Sequence, residues 1–336
     1  MQGFPVYSQG VLGDCYSHAA AILYDSYRES KGLRKNDPEQ FSSPLLIGIK
    51  QTRKLSTLPR EEFTQEAVEE LTKKAGKLRF PFEGGNVCDA VDSAARSGTC
   101  DMRDAELQLT QISRGDFVKN YYSLFLDHYL YLEKRDWFRD YADPEIRKQV
   151  LDTVVSSFSN RLRVCLHQYG LEEELLPNRE LLEAVLHFGS PYFLFMNTFQ
   201  TACTEHAIPP QAEIVCNDYS LYHPSDLKSA VESHFLRPTL PMGLYICSEF
   251  FKNPGYVSRD SSGALKADCG KHVVVVMGRR FNSDTKTCQY LIQNSWGVDC
   301  PDYKYKSPHQ CEPSTGRVWV SESDLFKASY GVITVK

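Results

Sequence analysis

Gln9-Gly10-Val11-Leu12-Gly13-Asp14-Cys15-Tyr16-Ser17-His18-Ala19-Ala20-Ala21-Ile22-Leu23-Tyr24 reads as a loop running into a helix. Two glycines punctuate the loop, and the stretch after them is a strong helix former with an apolar stripe. Cys15 therefore falls in the first turn. A helix N-terminus carries unpaired N–H groups and partial positive charge, so the reading expects a thiol pKa lowered from about 8.5 into the range of about 3.5–7.5. The Cys15 N–H and the side-chain amide of Gln9 are placed to hold a developing oxyanion.

Two further stretches complete a constellation. Lys271-His272-Val273-Val274-Val275-Val276-Met277-Gly278 is a β-branched run, a buried strand with His272 at its start. Tyr290-Leu291-Ile292-Gln293-Asn294-Ser295-Trp296-Gly297 reads as the next strand, ending in a turn at Gly297. If the two form a hairpin, Asn294 can accept the imidazole N–H and fix its tautomer, with Trp296 covering that bond from water. A thiol nucleophile, a base, an orienting amide and an oxyanion donor make a set suited to acyl transfer.

These residues resemble the papain-like cysteine proteases, whose pattern is a Gln, the nucleophilic Cys six residues later, a His on a strand, then Asn-Ser-Trp-Gly. Gln9, Cys15, His272 and Asn294-Ser295-Trp296-Gly297 match it residue by residue. Phe82-Glu83-Gly84-Gly85-Asn86 is similar to the paired glycines that bind the substrate backbone in that family, and residues 225–235 with Pro241-Met242-Gly243-Leu244-Tyr245-Ile246 look like the helix and strand that open its β domain. Tyr16 stands where the family usually has Trp, and the nucleophile loop is also similar to that of calpains, which carry Asn-Pro-Trp where this chain has Asn294-Ser295-Trp296. The resemblance implies an α+β, papain-like two-lobed fold: a helical lobe plus an antiparallel β-barrel-like lobe. It implies peptide-bond hydrolysis by a Cys15 thiolate and His272 imidazolium, oriented by Asn294, with Gln9 in the oxyanion hole. Gly84, Gly85 and Trp296 become candidate substrate-binding residues, and the specificity pocket is expected near Gly84, Met242 to Leu244 and Gly270. The same thioester chemistry also serves deamidation, transglutamination or removal of ubiquitin-like tags, and a binding module without turnover is the remaining alternative.

The family's nucleophile and base usually stand about 130–150 residues apart; here the interval is far longer, so the chain carries extra mass between them. Residues 107–170 are rich in helical patterns, including apolar positions from Phe117 to Leu130 at i, i+3, i+4 spacing; Pro144 suits a first turn, Gly170 a C-cap, and Asn178 caps a further helix over 179–188. The resulting division is a helical lobe over 1–104, an inserted helical subdomain over 105–222 and a β-rich lobe over 223–336. The insertion is read as packed core or as a lid over the cleft.

Eleven cysteines less one nucleophile leave ten, enough for five disulfides, with Cys88–Cys100, Cys203–Cys216 and Cys300–Cys311 as plausible local pairs. An oxidising compartment follows, secretion included, with a cytoplasmic protein bearing free thiols as the alternative. Met1-Gln2-Gly3-Phe4 leads into the Gln9 motif without a charged and apolar leader, so the reading expects a mature or trimmed form whose inhibitory propeptide is absent from this chain. A net charge of −5 and a pI near 6.0 argue against nucleic acid as partner and leave a peptide or protein substrate. No apolar stretch is long enough to span a membrane. No cofactor is expected; Cys203, His206, Cys216 and His223 fit no common zinc spacing.

Overall fold

The computed structural model describes residues 4, 14–34, 40–51, 84–101, 120, 124, 144–168, 207–211, 213–220, 223–235, 240–253, 255–297, 310–312 and 315–336. The chain forms two compact units: Met1–Thr52 with Phe82–Met102 and Ile208–Lys336, and Arg53–Pro81 with Arg103–Ala207.

The first unit is built on α1 (Cys15–Ser30), which is buried all round from Tyr16 to Arg28. Such a helix serves as a core element. Its two central charges are paired within the core. Arg28 Nη1 lies 2.8 Å from Asp25 Oδ1, and Asp25 also accepts the Ser42 N–H and hydroxyl at 2.7 and 2.6 Å, which ties the start of α2 (Pro44–Gln51) to α1. Next comes α3 (Val87–Ser97), whose N-cap Asn86 accepts the Asp89 N–H at 3.0 Å. Two-residue strands β1 (Thr99–Cys100) and β2 (Ala207–Ile208) make a sheet of their own. In the second unit the described helix is α4 (Pro144–Gln168), which starts at the proline as expected; the patterns over 117–130 and 179–188 and the Gly170 cap lie outside the described residues, Asn120 and Leu124 apart.

The large sheet collects β3 (Cys216–Ser220), β4 (Met242–Cys247), β5 (Lys271–Asn282), β6 (Thr287–Gln293), β7 (Gln310–Cys311), β8 (Val318–Ser321) and β9 (Ser329–Val335). Their order is β3-β9-β4-β5-β6-β8-β7, with every neighbouring pair antiparallel. α5 (Pro224–Phe235) precedes β4, and α6 (Glu322–Ala328) precedes β9. The unbroken apolar run of β5 has a structural cause, since both faces are covered. Val273, Val275 and Met277 pack toward α1, while Val274 and Val276 join Leu244, Ile246, Ile292 and Phe250 on the other side.

Mixed helices and antiparallel sheet agree with an α+β class, but the expected barrel-like closure is corrected: the edges β3 and β7 do not pair, so the sheet is open. Closure demands hydrogen bonds between first and last strands. Here one edge is a two-residue strand and the other is stapled to α3 by a Cys88–Cys216 disulfide, both ways of protecting an exposed edge.

That disulfide overturns two expected pairs, Cys88–Cys100 and Cys203–Cys216, and removes Cys216 from any zinc set. Local spacing misled because the partner of Cys88 sits on a sheet edge far along the chain. A second bridge joins Cys247 to Cys269. Cys100 and Cys311 are also disulfide-bonded, while Cys203 and Cys300 lie outside the described residues. Cys165 and Cys288 are free thiols, so five disulfides are not reached. The bridges point to an oxidising compartment. Among the described residues no helix is long and apolar enough to cross a membrane.

Candidate active site

Cys15 is the first residue of α1. The Asp14 carbonyl accepts the Ser17 and His18 N–H groups at 2.9 and 3.4 Å, which starts the helix at this residue. The residue is half-buried and its sulfur faces the backbone N–H groups of Val273, Tyr16 and Cys15 itself. Cys15 therefore rests against β5 at the residue after His272.

His272 and Asn294 meet at the open end of the β5–β6 hairpin, where Val275 is paired with Gln293. His272 Nε2 lies 2.7 Å from Asn294 Oδ1, and the Ser295 N–H donates to the same oxygen at 2.8 Å. Ser295 N–H can only donate, so the atom it meets is the amide oxygen; an oxygen can only accept, so His272 carries its proton on Nε2. The lone pair of the neutral ring is then on Nδ1. Trp296 and Phe251 enclose the ring, with centroids 5.5 and 5.8 Å away and 4.9 Å from each other.

The electrostatics differ from the expected thiolate. Burial pushes the Cys15 thiol up to about 11; the Val273 N–H opposes this and the Asp14 charge reinforces it. Burial likewise pushes His272 down to about 4, against the Asn294 bond. Helix-terminus stabilisation is a partial charge in the first turn, whereas withdrawing a whole charge from water costs more. Both shifts favour the uncharged form.

The approach to His272 is fixed by parts that no sequence pattern marks. The Cys247–Cys269 bridge joins the end of β4 to the run-in of β5. Glu249 accepts the Gly270 N–H at 2.7 Å, and the Ser248 N–H donates to the Gly270 carbonyl at 2.8 Å. On the other side, Arg317 donates to Gln293 Oε1 at 3.1 Å and to the Phe4 carbonyl at 3.0 Å, so the segment before the nucleophile loop is tied to the residue before Asn294. His18, also missed, is buried one turn after Cys15, with Nε2 3.4 Å from Asp14 Oδ1.

His272, Asn294 and Trp296 thus meet within the first unit, and Cys15 lies against the adjoining Val273, whereas Gln9 lies outside the described residues. Gly84 and Gly85 are exposed before the Asn86 cap, and Gly84 holds φ +73°. Met242 and Leu244 are core residues, and Gly243 is closed over by Ile333 and Leu23, so these three offer no pocket wall; Tyr245 is the half-buried member of β4.

The chain is 27% identical over 82 residues to a protein from Theileria parva named "Cysteine proteinase", a stretch that is 24% of this chain and 19% of that relative. The similarity is to a cysteine proteinase. It spans about a fifth of that relative's length and hints at peptidase activity without reaching the identity of the catalytic residues. No protein-family model matches the chain.

Proposed function

We propose that this chain is a papain-like cysteine protease with Cys15 as nucleophile, His272 as acid and base, Asn294 as the group that orients the ring, and Gln9 with the Cys15 N–H as oxyanion donors. The observation that carries the reading is the paired acceptance of His272 Nε2 and Ser295 N by Asn294 Oδ1, beside a cysteine held against the next residue of β5. This leaves Nδ1 as the base. Burial favours the neutral form of both partners, so in this reading the thiol gives its proton to Nδ1 as sulfur attacks the peptide carbonyl. The imidazolium then protonates the leaving amine, and a water deprotonated by Nδ1 hydrolyses the thioester. Gly84 and Gly85 hold the substrate backbone, and Trp296 with Phe251 keeps water from the His272–Asn294 bond. In this reading the helices before residue 105 and the sheet that begins with β3 are the two lobes, and the mass between them is an inserted subdomain. An oxidising compartment, secretion included, suits the disulfides.

The test is mass-spectrometric labelling with an epoxysuccinyl cysteine-protease inhibitor, beside turnover of a pooled fluorogenic peptide library. The expected result is one adduct, on Cys15, with peptide products that vanish in Cys15→Ala. Ammonia without peptide products would make the enzyme a deamidase, and neither adduct nor turnover would leave a binding module.

A further inference from the structure

Tyr330 is buried at the start of β9. Its ring stacks on that of Tyr245, centroids 5.7 Å apart and planes 18° from parallel. Tyr245 Oη donates to Asp218 Oδ2 at 3.1 Å, reaching across β9 to the edge strand β3. Asn86 Nδ2 donates to the same oxygen at 2.7 Å. The orientation of Asn86 is settled by its other bond, since its Oδ1 accepts the Asp89 N–H. Asn86 immediately follows Gly84 and Gly85, so a connected path leads from the stacked tyrosines through a carboxylate to the paired glycines.

Both donors fall on Oδ2. Asp218 is exposed, and among the described residues no lysine or arginine pairs with it and Oδ1 has no partner. Asp89 adds a second negative charge facing Tyr245. A clamped carboxylate with one free oxygen suits a cation through a charge-assisted hydrogen bond.

We infer that Asp218 is a specificity-determining residue, and that the site takes substrates with a cationic group beside the paired glycines, either a basic side chain or a free α-amine. This rests on the cysteine-protease reading above. The shared chemistry is an ammonium or guanidinium on the Asp218 Oδ1 side of the carboxylate.

The test is the rate at which peptidyl chloromethyl ketones alkylate Cys15, read by mass spectrometry, with arginine, lysine, leucine or glutamate in turn at each of the three positions before the reactive group. Each is made with an acetylated and a free N-terminus, which separates side chain from α-amine. Reagents with a cation at one position should react faster than their leucine counterparts, and Asp218→Asn should lower the cation-to-leucine ratio by about tenfold to a hundredfold. Asp218→Glu keeps the charge and should retain part of the ratio, which a merely structural role for the carboxylate would not do. An unchanged ratio in Asp218→Asn, or no preference in the parent chain, overturns the inference while leaving the protease reading intact. Failure of every peptidyl reagent, with iodoacetamide still alkylating Cys15, overturns the protease reading and the inference with it.

Discussion

His272 folds with its pKa pushed down to about 4 by burial, against about 6.5 for an unperturbed imidazole. Between those pH values the unfolded chain binds a proton that the folded chain excludes, so stability rises with pH there. The contribution is complete above about pH 6.5 and is lost as pH falls toward about 4, at most about 3 kcal/mol from this group. Cys15 has the opposite sense: its thiol is raised to about 11 from an ordinary value of 9.0, so its contribution is present below about pH 9 and is lost as pH rises through about 11. Gln at position 272 cannot titrate. His272→Gln should therefore show a smaller drop in Tm between pH 7 and pH 4.5 than the parent chain. Thermal unfolding at both pH values checks this, and equal drops would assign the acid sensitivity to other groups.

At the scale of elements the decisive one is β5, whose start, in the proposed mechanism, delivers His272 to Cys15 and Asn294. A Cβ on Gly270 would collide with Ser248 Oγ and lie 2.9 Å from Glu249 Oε1. The carboxylate that would be displaced is the one holding the Gly270 N–H. Gly270→Ala should cost about 1–3 kcal/mol by overpacking, and should slow alkylation of Cys15 by a peptidyl reagent more than alkylation by iodoacetamide, because His272 shifts with its strand. Equal slowing would confine the effect to stability. Much of this element was legible: the run from Val273 to Met277 is apolar because α1 covers one face and the second core the other, and the hairpin with β6 follows from two strands separated by a short turn. The start of α1 at Cys15 was legible from glycines followed by helix formers. The devices ahead of His272 were not, because Cys247 meets Cys269 and Glu249 meets Gly270 only once β4 and β5 are side by side. The charge states were misjudged for a related reason, since a helix end is visible in a sequence and the depth of burial around a sulfur is not.

On the scale of the whole molecule, the chain leaves the first unit after Met102 and returns at Ile208. Holding both ends of so long an excursion costs loop-closure entropy that grows slowly with its length. Three features of the first unit meet that cost close to the exit and return points. Gln211 N–H donates to the Ala95 carbonyl at 2.7 Å, Gly98 at φ +68° backs onto the Ile208 carbonyl where a Cβ would collide, and Cys88 is bonded to Cys216. The sequence separation of 128 between those cysteines corresponds, by chain entropy, to about 5 kcal/mol of restriction on the unfolded chain. Removing both thiols together, Cys88→Ala with Cys216→Ala, should lower Tm by roughly 10–15 °C, as a loss of that size does in a unit of this class. Differential scanning calorimetry on the full chain reads the effect. A fall below about 3 °C would mean that the hydrogen bond and the packing around Gly98 already hold the return strand, and that the edge strand β3, with Asp218 on it, is placed by the sheet alone.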